Sequence, residues 1–194
     1  VASLVGSEMC IRDSILGRQG SGKGTQAVRI AERFQVVHIS TGDMLRSAVQ
    51  EGTELGLKAK SIMDAGGLVT DDVVNGIVAE RLAKDDVQKS GFLLDGYPRT
   101  VGQATELKQL VGESLKLAIN LDVSIEEVTQ RMMSRGREDD TPEAIARRLE
   151  LYEAETAPLI EWFESENILC VIDGLGTEIE VHQRVIEEIE RNIG

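Results

Sequence analysis

A chain of 194 residues that is 41% hydrophobic and 28% charged is long enough, and apolar enough, to fold as one soluble domain around a proper core. Its net charge of −13 repels a nucleic-acid backbone and an anionic lipid surface, and with only 3% aromatic residues it has few rings on which bases could stack. Nucleic acid and membrane are therefore excluded as expected partners.

Residues 1–14, VASLVGSEMCIRDS, have no clear period, and Asp13-Ser14 stand where a buried strand should lead into a glycine loop. They are expected to form an anomalous N-terminal extension with an unclear first strand, followed by a single domain over 15–194. Ile15-Leu16 end that strand, and a helix follows from about Lys23 to Phe34. VVHIS (36–40) reads as a short strand, with helices over 43–50 and 54–65. TDDVVNGIVAERLAK begins a further helix with Thr70 or Asp71 as its N-cap. GFLLD (91–95), LKLAINLD (115–122) and NILCVID (167–173) are apolar runs of strand length. The last helix, 177–192, carries Val181, Val185 and Ile189 at i+4 spacing, a stripe suited to docking on a sheet. The alternation predicts an α/β fold, doubly wound on a five-stranded parallel sheet with helices on both faces.

Two cysteines, Cys10 and Cys170, lie far apart and neither has a CxxC partner. A disulfide framework and a zinc site are not expected; reduced thiols in a cytoplasmic protein are. No apolar run approaches the ~20 residues of a membrane span, and the first residues lack the basic start and apolar core of a secretory signal.

The sharpest signal is GRQGSGKGTQ, residues 17–26, after a strand and at the start of a helix. Glycines let successive N–H groups converge on one anion, and the helix N-terminus adds positive potential. Gly20, Ser21, Gly22, Lys23, Gly24 and Thr25 form the expected phosphate cradle. Lys23 supplies an ammonium for β- and γ-phosphates, and Thr25 a hydroxyl near magnesium. A strict Walker A loop has Ser or Thr directly after the lysine; here Gly24 intervenes.

GKGTQ is followed by HISTGDMLR (38–46), DAGGLVTDD (64–72) and GFLLDGYPRT (91–100). These motifs, in this order, resemble the adenylate kinase family of nucleoside monophosphate kinases, from about Ile15 to the C-terminus. The resemblance implies Mg2+-dependent transfer of the γ-phosphoryl of ATP to AMP, giving two ADP. It implies a helical AMP-binding insertion over 40–69 and a short lid over 135–141. Thr41 and Arg46 match the AMP motif, Gly67, Leu68 and Val69 the segment bordering the adenine, and Arg99 the grip on the AMP phosphate, with Gly96, Tyr97 and Pro98 before it also implied in AMP binding. Gln103 matches the residue that reads adenine through its amide. Asp95 matches the acid near the metal, beside Thr25, with contact through water.

Arg131, Arg135, Arg137, Arg147 and Arg148 crowd into an otherwise acidic chain, and guanidinium forks suit phosphate oxygens. The resemblance assigns Arg135 to ATP, and Arg137 and Arg148 to the transferring phosphate and AMP. Arg131 is a helper, and a solvated helix face accounts for Arg147. Asp139 and Asp140 are expected to hold arginines in place. Gly176 matches a backbone contact to the ATP adenine. Gly136 alone separates Arg135 from Arg137, where many relatives insert a long lid, sometimes with four zinc-binding cysteines; no zinc is expected here. His38 and His182 read as structural or surface residues. Gln19 and Gly102 stand where many relatives carry proline, which should loosen two turns.

Two rivals remain at this point: a sibling kinase for UMP or CMP, and a nucleotide-binding sensor without transferase activity. The acidic short-lid form is compatible with a monomer.

Overall fold

The computed structural model describes residues 11–193. Five strands, β1 (Arg12–Leu16), β2 (Val37–Ser40), β3 (Phe92–Asp95), β4 (Leu117–Asp122) and β5 (Leu169–Asp173), pair in the order β2-β3-β1-β4-β5. All four pairings are parallel. The chain leaves central β1 for the β2 edge, returns through β3, then crosses to β4 and β5. Order therefore reverses at β1, and a crevice opens there at the carboxyl ends of the strands.

The helices run in chain order as α1 (Lys23–Phe34), α2 (Thr41–Gln50), α3 (Glu54–Asp64), α4 (Asp71–Leu82), α5 (Asp85–Ser90) and α6 (Val101–Val111). After β4 come α7 (Ile125–Arg135), α8 (Pro142–Leu151), a π-helical turn over Tyr152–Thr156, α9 (Pro158–Ser165) and, after β5, α10 (Glu178–Ile193). Short polar side chains start several of them. Ser40 Oγ accepts from Asp43 N at 3.2 Å, and Thr141 Oγ1 from Ala144 N at 3.1 Å with Pro142 opening α8. Thr70 occupies the N-cap of α4 without a side-chain bond.

Each face of the sheet buries its own apolar layer. Ala27 and Ile30 of α1 pack with Val181, Val185 and Ile189 of α10 over Ile15, Leu93 and Ile119. On the other face Val74 and Val78 of α4, Leu107 of α6 and Leu159 and Phe163 of α9 cover Ile39, Leu94 and Ala118. Both apolar layers are what nearly uninterrupted strand sequences require.

The first strand departs from expectation. Residues 1–10 lie outside the described residues, so what was expected of them stays open. Residues 12–14, however, belong to the sheet: Asp13 pairs with Leu93 and Leu117, and Ser14 with Leu94 and Ala118. The boundary expected between 14 and 15 thus falls inside β1. Ser14 is accommodated because its Oγ donates to Tyr97 O at 2.7 Å. Asp13, by strand alternation, faces the α1/α10 side with Ile11 and Ile15. Burial pushes its carboxyl up to about 7, opposed by a backbone hydrogen bond at Leu117. Burial in the strand thus favours the protonated acid.

Candidate active site

The loop between β1 and α1 turns sharply because glycine permits it. Gly17 and Gly20 have φ of +136° and +85°, and a Cβ would stand 2.7 Å from Leu121 O and 2.8 Å from Val128 O. The loop is thereby pressed against β4 and α7, and α1 begins at Lys23 with its N–H groups facing a cleft of about 860 Å3. Gly20, Ser21, Gly22, Lys23, Gly24 and Thr25 all line it, with Gly174 and Gly176 after β5 at the far wall. Ser21 Oγ is buried and has no hydrogen-bond partner among the described residues.

Lys23 reaches Arg18 O at 3.4 Å and projects into a cationic neighbourhood. Burial pushes its ammonium down to about 8; Asp95 opposes this, while Arg99, Arg135 and Arg137 add to it. A group so placed gains from an arriving anion. Asp95 ends β3 nearby: a Cβ on Gly24 would lie 3.6 Å from its Oδ2. His38 Nε2 stands 3.3 Å from the same oxygen. No group of three or more His, Cys, Asp or Glu side chains that could hold a metal occurs among the described residues. Asp95 and the Thr25 hydroxyl, which both line the cleft, are oxygen donors of the kind a hard cation takes.

Two aspartates after the single turn that separates α7 from α8 arrange Arg135 and Arg148. Asp140 takes Arg135 through two bonds, Nε at 2.5 Å and Nη2 at 2.8 Å, and Arg148 Nη1 at 2.8 Å. Burial would raise this carboxyl, but the two guanidinium groups hold it below the usual range. Arg148 also pairs with Asp139 and donates to Met63 O at 3.4 Å, tying α8 to the end of α3. Arg99 is bonded through Nε to Gly96 O at 2.8 Å. Arg46 pairs with Asp43 and, with Arg135 and Arg137, faces the cleft. Arg131 is held by Glu127 at 2.7 Å beside the loop, while Arg147 points to solvent near Glu150.

A smaller cavity of about 60 Å3 adjoins the cleft and gathers Thr41, Arg46, Gly67, Leu68, Val69, Arg99, Gln103, Arg137 and Arg148. Thr41 Oγ1 donates to Gly96 O at 3.0 Å, so the start of α2 is fastened to the end of β3. Pro98 lines a neighbouring recess with Tyr152. Tyr97 is the exception. Its ring is fully buried in the α4/α6 core layer and its hydroxyl donates to Asn75 Oδ1 at 2.7 Å. Of residues 96–99, Tyr97 alone lines none of these cavities.

Two independent comparisons bear on this cleft. The adenylate kinase family model matches residues 15–168. The chain is 45% identical over 183 residues to an adenylate kinase of Stenotrophomonas maltophilia strain K279a, covering 91% of this chain and 97% of that one. It is 48% identical to one of Oenococcus oeni, covering 92% and 97%, and 46% identical to one of Bifidobacterium longum, covering 91% and 98%. The chain belongs to the adenylate kinase family.

As a member of that family it is a nucleoside monophosphate kinase, and the reading as a sensor without transferase activity gives way to it. The sequence missed two features of this kinase's cleft. His38 was set aside, yet the register His38↔Leu93 and Ser40↔Asp95 puts it on the same face as the strand-end acid. Asp71 opens α4 as expected and in addition holds Gln103 of the small cavity and Thr100 beside it. Neither has a motif; pairing register was the available signal for His38.

Asp140 carries a direct prediction. Asp140→Asn removes the charge shared by Arg135 and Arg148, so both forks lose their common anchor. Turnover at saturating nucleotide is expected to fall about 10- to 100-fold, the cost of misplacing a charge by an ångström. Steady-state kinetics check it; a change below threefold would show that the bridge has no part in alignment.

Proposed function

We propose that the chain transfers the γ-phosphoryl of ATP to AMP, giving two ADP, through the groups that converge on this cleft. The observation that carries the reading is one positive floor shared by two compartments. The loop compartment offers Lys23, Arg135 and backbone N–H groups, the small cavity offers Arg148 and Gln103, and Arg46, Arg99 and Arg137 line both. A switch protein has no use for the second compartment.

ATP would lie along the loop with its adenine near Gly176. AMP would occupy the small cavity, its phosphate on Arg46, Arg99, Arg137 and Arg148 and its base between Thr41, Gly67, Leu68, Val69 and Gln103. A phosphate oxygen of AMP attacks the γ-phosphorus; the new P–O bond forms as the bond to the β-phosphate oxygen breaks, and ADP leaves. The protein's work is alignment and neutralisation, with no side-chain nucleophile. Lys23 and Arg135 spread charge on the transferred group, and Asp140 holds Arg135 while they do so. Mg2+ brought by the nucleotide, near Thr25 and Asp95, would neutralise the β- and γ-oxygens. Closure of 40–69 and of the short lid 135–141 excludes water, which raises a ~4 Å charge pair from roughly 1 to about 4 kcal/mol at an effective dielectric of 20.

The same reading takes the protein as a cytoplasmic monomer, supported by its acidic surface and the buried thiol of Cys170. Among the described residues no helix is long and apolar enough to cross a membrane. The test is ATP, Mg2+ and a panel of AMP, UMP and CMP in a coupled ADP assay. AMP is expected to give two ADP per turnover with the others far slower. Faster turnover of UMP or CMP, or stoichiometric binding without ADP, would overturn the proposal.

A further inference from the structure

The amide of Gln103 is gripped from both ends. Arg99 N–H donates to Oε1 at 2.7 Å, and Nε2 donates to Asp71 Oδ1 at 2.8 Å. Asp71 Oδ2 accepts from the Thr100 hydroxyl at 2.7 Å, and Thr100 Oγ1 in turn accepts from Gln103 N at 3.1 Å. The result is a closed ring joining the first turn of α4 to the first turn of α6, with Gln103 buried at the wall of the small cavity.

This ring fixes which end of the amide is oxygen and which is nitrogen. A backbone N–H can only donate, and an ionised carboxylate can only accept. With one bond spent at each end, the amide keeps a lone pair on Oε1 and a hydrogen on Nε2, side by side. A 6-aminopurine answers that pair with its amino hydrogen and its N1 lone pair. A 6-oxopurine presents the reverse, an oxygen and an N1–H. To read it, the amide would have to rotate, setting Oε1 against the Asp71 carboxylate and Nε2 against the Arg99 N–H.

We infer that Asp71 is a positioning residue that makes the site select 6-amino over 6-oxo purine monophosphates, by forbidding the rotated Gln103 amide. The inference rests on the proposed placement of the base at Gln103. Its logic is exclusion: the wrong base is rejected because a buried polar group would face a like group. Asparagine at 71 relieves the Asp71 half of this, since its own amide can turn and donate to a rotated Oε1, and leaves only the Arg99 N–H opposing the rotation.

The experiment compares AMP with inosine monophosphate, which differs in the 6-substituent and the N1 hydrogen. The ratio of kcat/KM for the two is measured, with ATP and Mg2+, in the unaltered chain, Asp71→Asn, Asp71→Ala and Gln103→Leu. Dissociation constants for the same two ligands give the ratio where a variant turns over too slowly. Thermal melts confirm folding in each case. Both Asp71 variants are expected to lower the AMP preference at least about tenfold, the scale of one misdirected hydrogen bond. If the ratio holds within twofold at Asp71→Asn and Asp71→Ala but collapses at Gln103→Leu, the inference is wrong and the placement of the base stands. If it holds at Gln103→Leu as well, both fall.

Discussion

Arg99→Ala is expected to lower kcat about 10³-fold, the scale on which arginine fingers act in phosphoryl transfer, without lowering the thermal midpoint. The second half of that statement separates a functional arginine from a structural one. Arg135 and Arg148 hold Asp140, and Arg46 holds Asp43, so each has an anionic partner in the free protein. The direct bond of Arg99 is to a neutral carbonyl, Gly96 O. Burial lowers its affinity for a proton; Asp95 opposes this, while Arg46 and Arg148 reinforce it. Its charge is thus held among like charges until a phosphate arrives, and truncation relieves repulsion in the free protein while removing the group from the transition state. Arg99→Lys keeps the charge but loses the planar fork, and is expected to recover no more than about tenfold of the loss. Kinetics at saturating ATP and AMP, paired with thermal melts, measure both halves. A loss of kcat below tenfold would show that Arg99 does not touch the reacting phosphate.

The parts of this molecule that were legible in its sequence are those where a local rule suffices. The strand runs at 91–95, 115–122 and 167–173 became β3, β4 and β5 because fully buried strands need nearly continuous apolar sequence. The stripe Val181, Val185, Ile189 docks as its spacing requires. The loop residues 20–25 and the arginines at 46, 99, 135, 137 and 148 converge because motif order fixes which strand end each follows. What could not be read depends on contacts between distant segments. Asp71 and Gln103 are 32 residues apart, and nothing in either helix announces that one grips the other. The burial of Tyr97 was equally hidden: it lies inside a site motif, but the turn after β3 sends its ring into the core. Asp140 was legible in outline because an acid amid arginines implies pairing; that it serves Arg135 and Arg148 together required the geometry.

The acid inside β1 makes the strongest claim about stability. A carboxyl whose proton affinity rises from 3.8 to about 7 on folding binds a proton in the native state that the unfolded chain has released. Stability therefore falls as pH climbs through that window and levels off above about 7. At 1.36 kcal/mol per pH unit, the full loss above the window is about 4 kcal/mol. Asp13→Val removes the titration and supplies methyl groups to the layer of Ile15, Leu93 and Ile119. Urea unfolding is expected to show the variant more stable at both pH 5 and pH 8, with the gain about 2–3 kcal/mol larger at pH 8. At the higher pH the midpoint of thermal unfolding should rise by about 10 °C, given 2–4 °C per kcal/mol for a domain of this size. Asp13→Asn should flatten the pH dependence with a smaller gain, since it neutralises the group but leaves a buried amide. An equal gain for Asp13→Val at the two pH values would mean that the carboxyl is ionised or solvated in the folded strand. The active site bears on the same measurement, because β1 delivers the chain into the glycine loop at Gly17. Steadying the strand should therefore lower the urea sensitivity of nucleotide binding in step with the global midpoint.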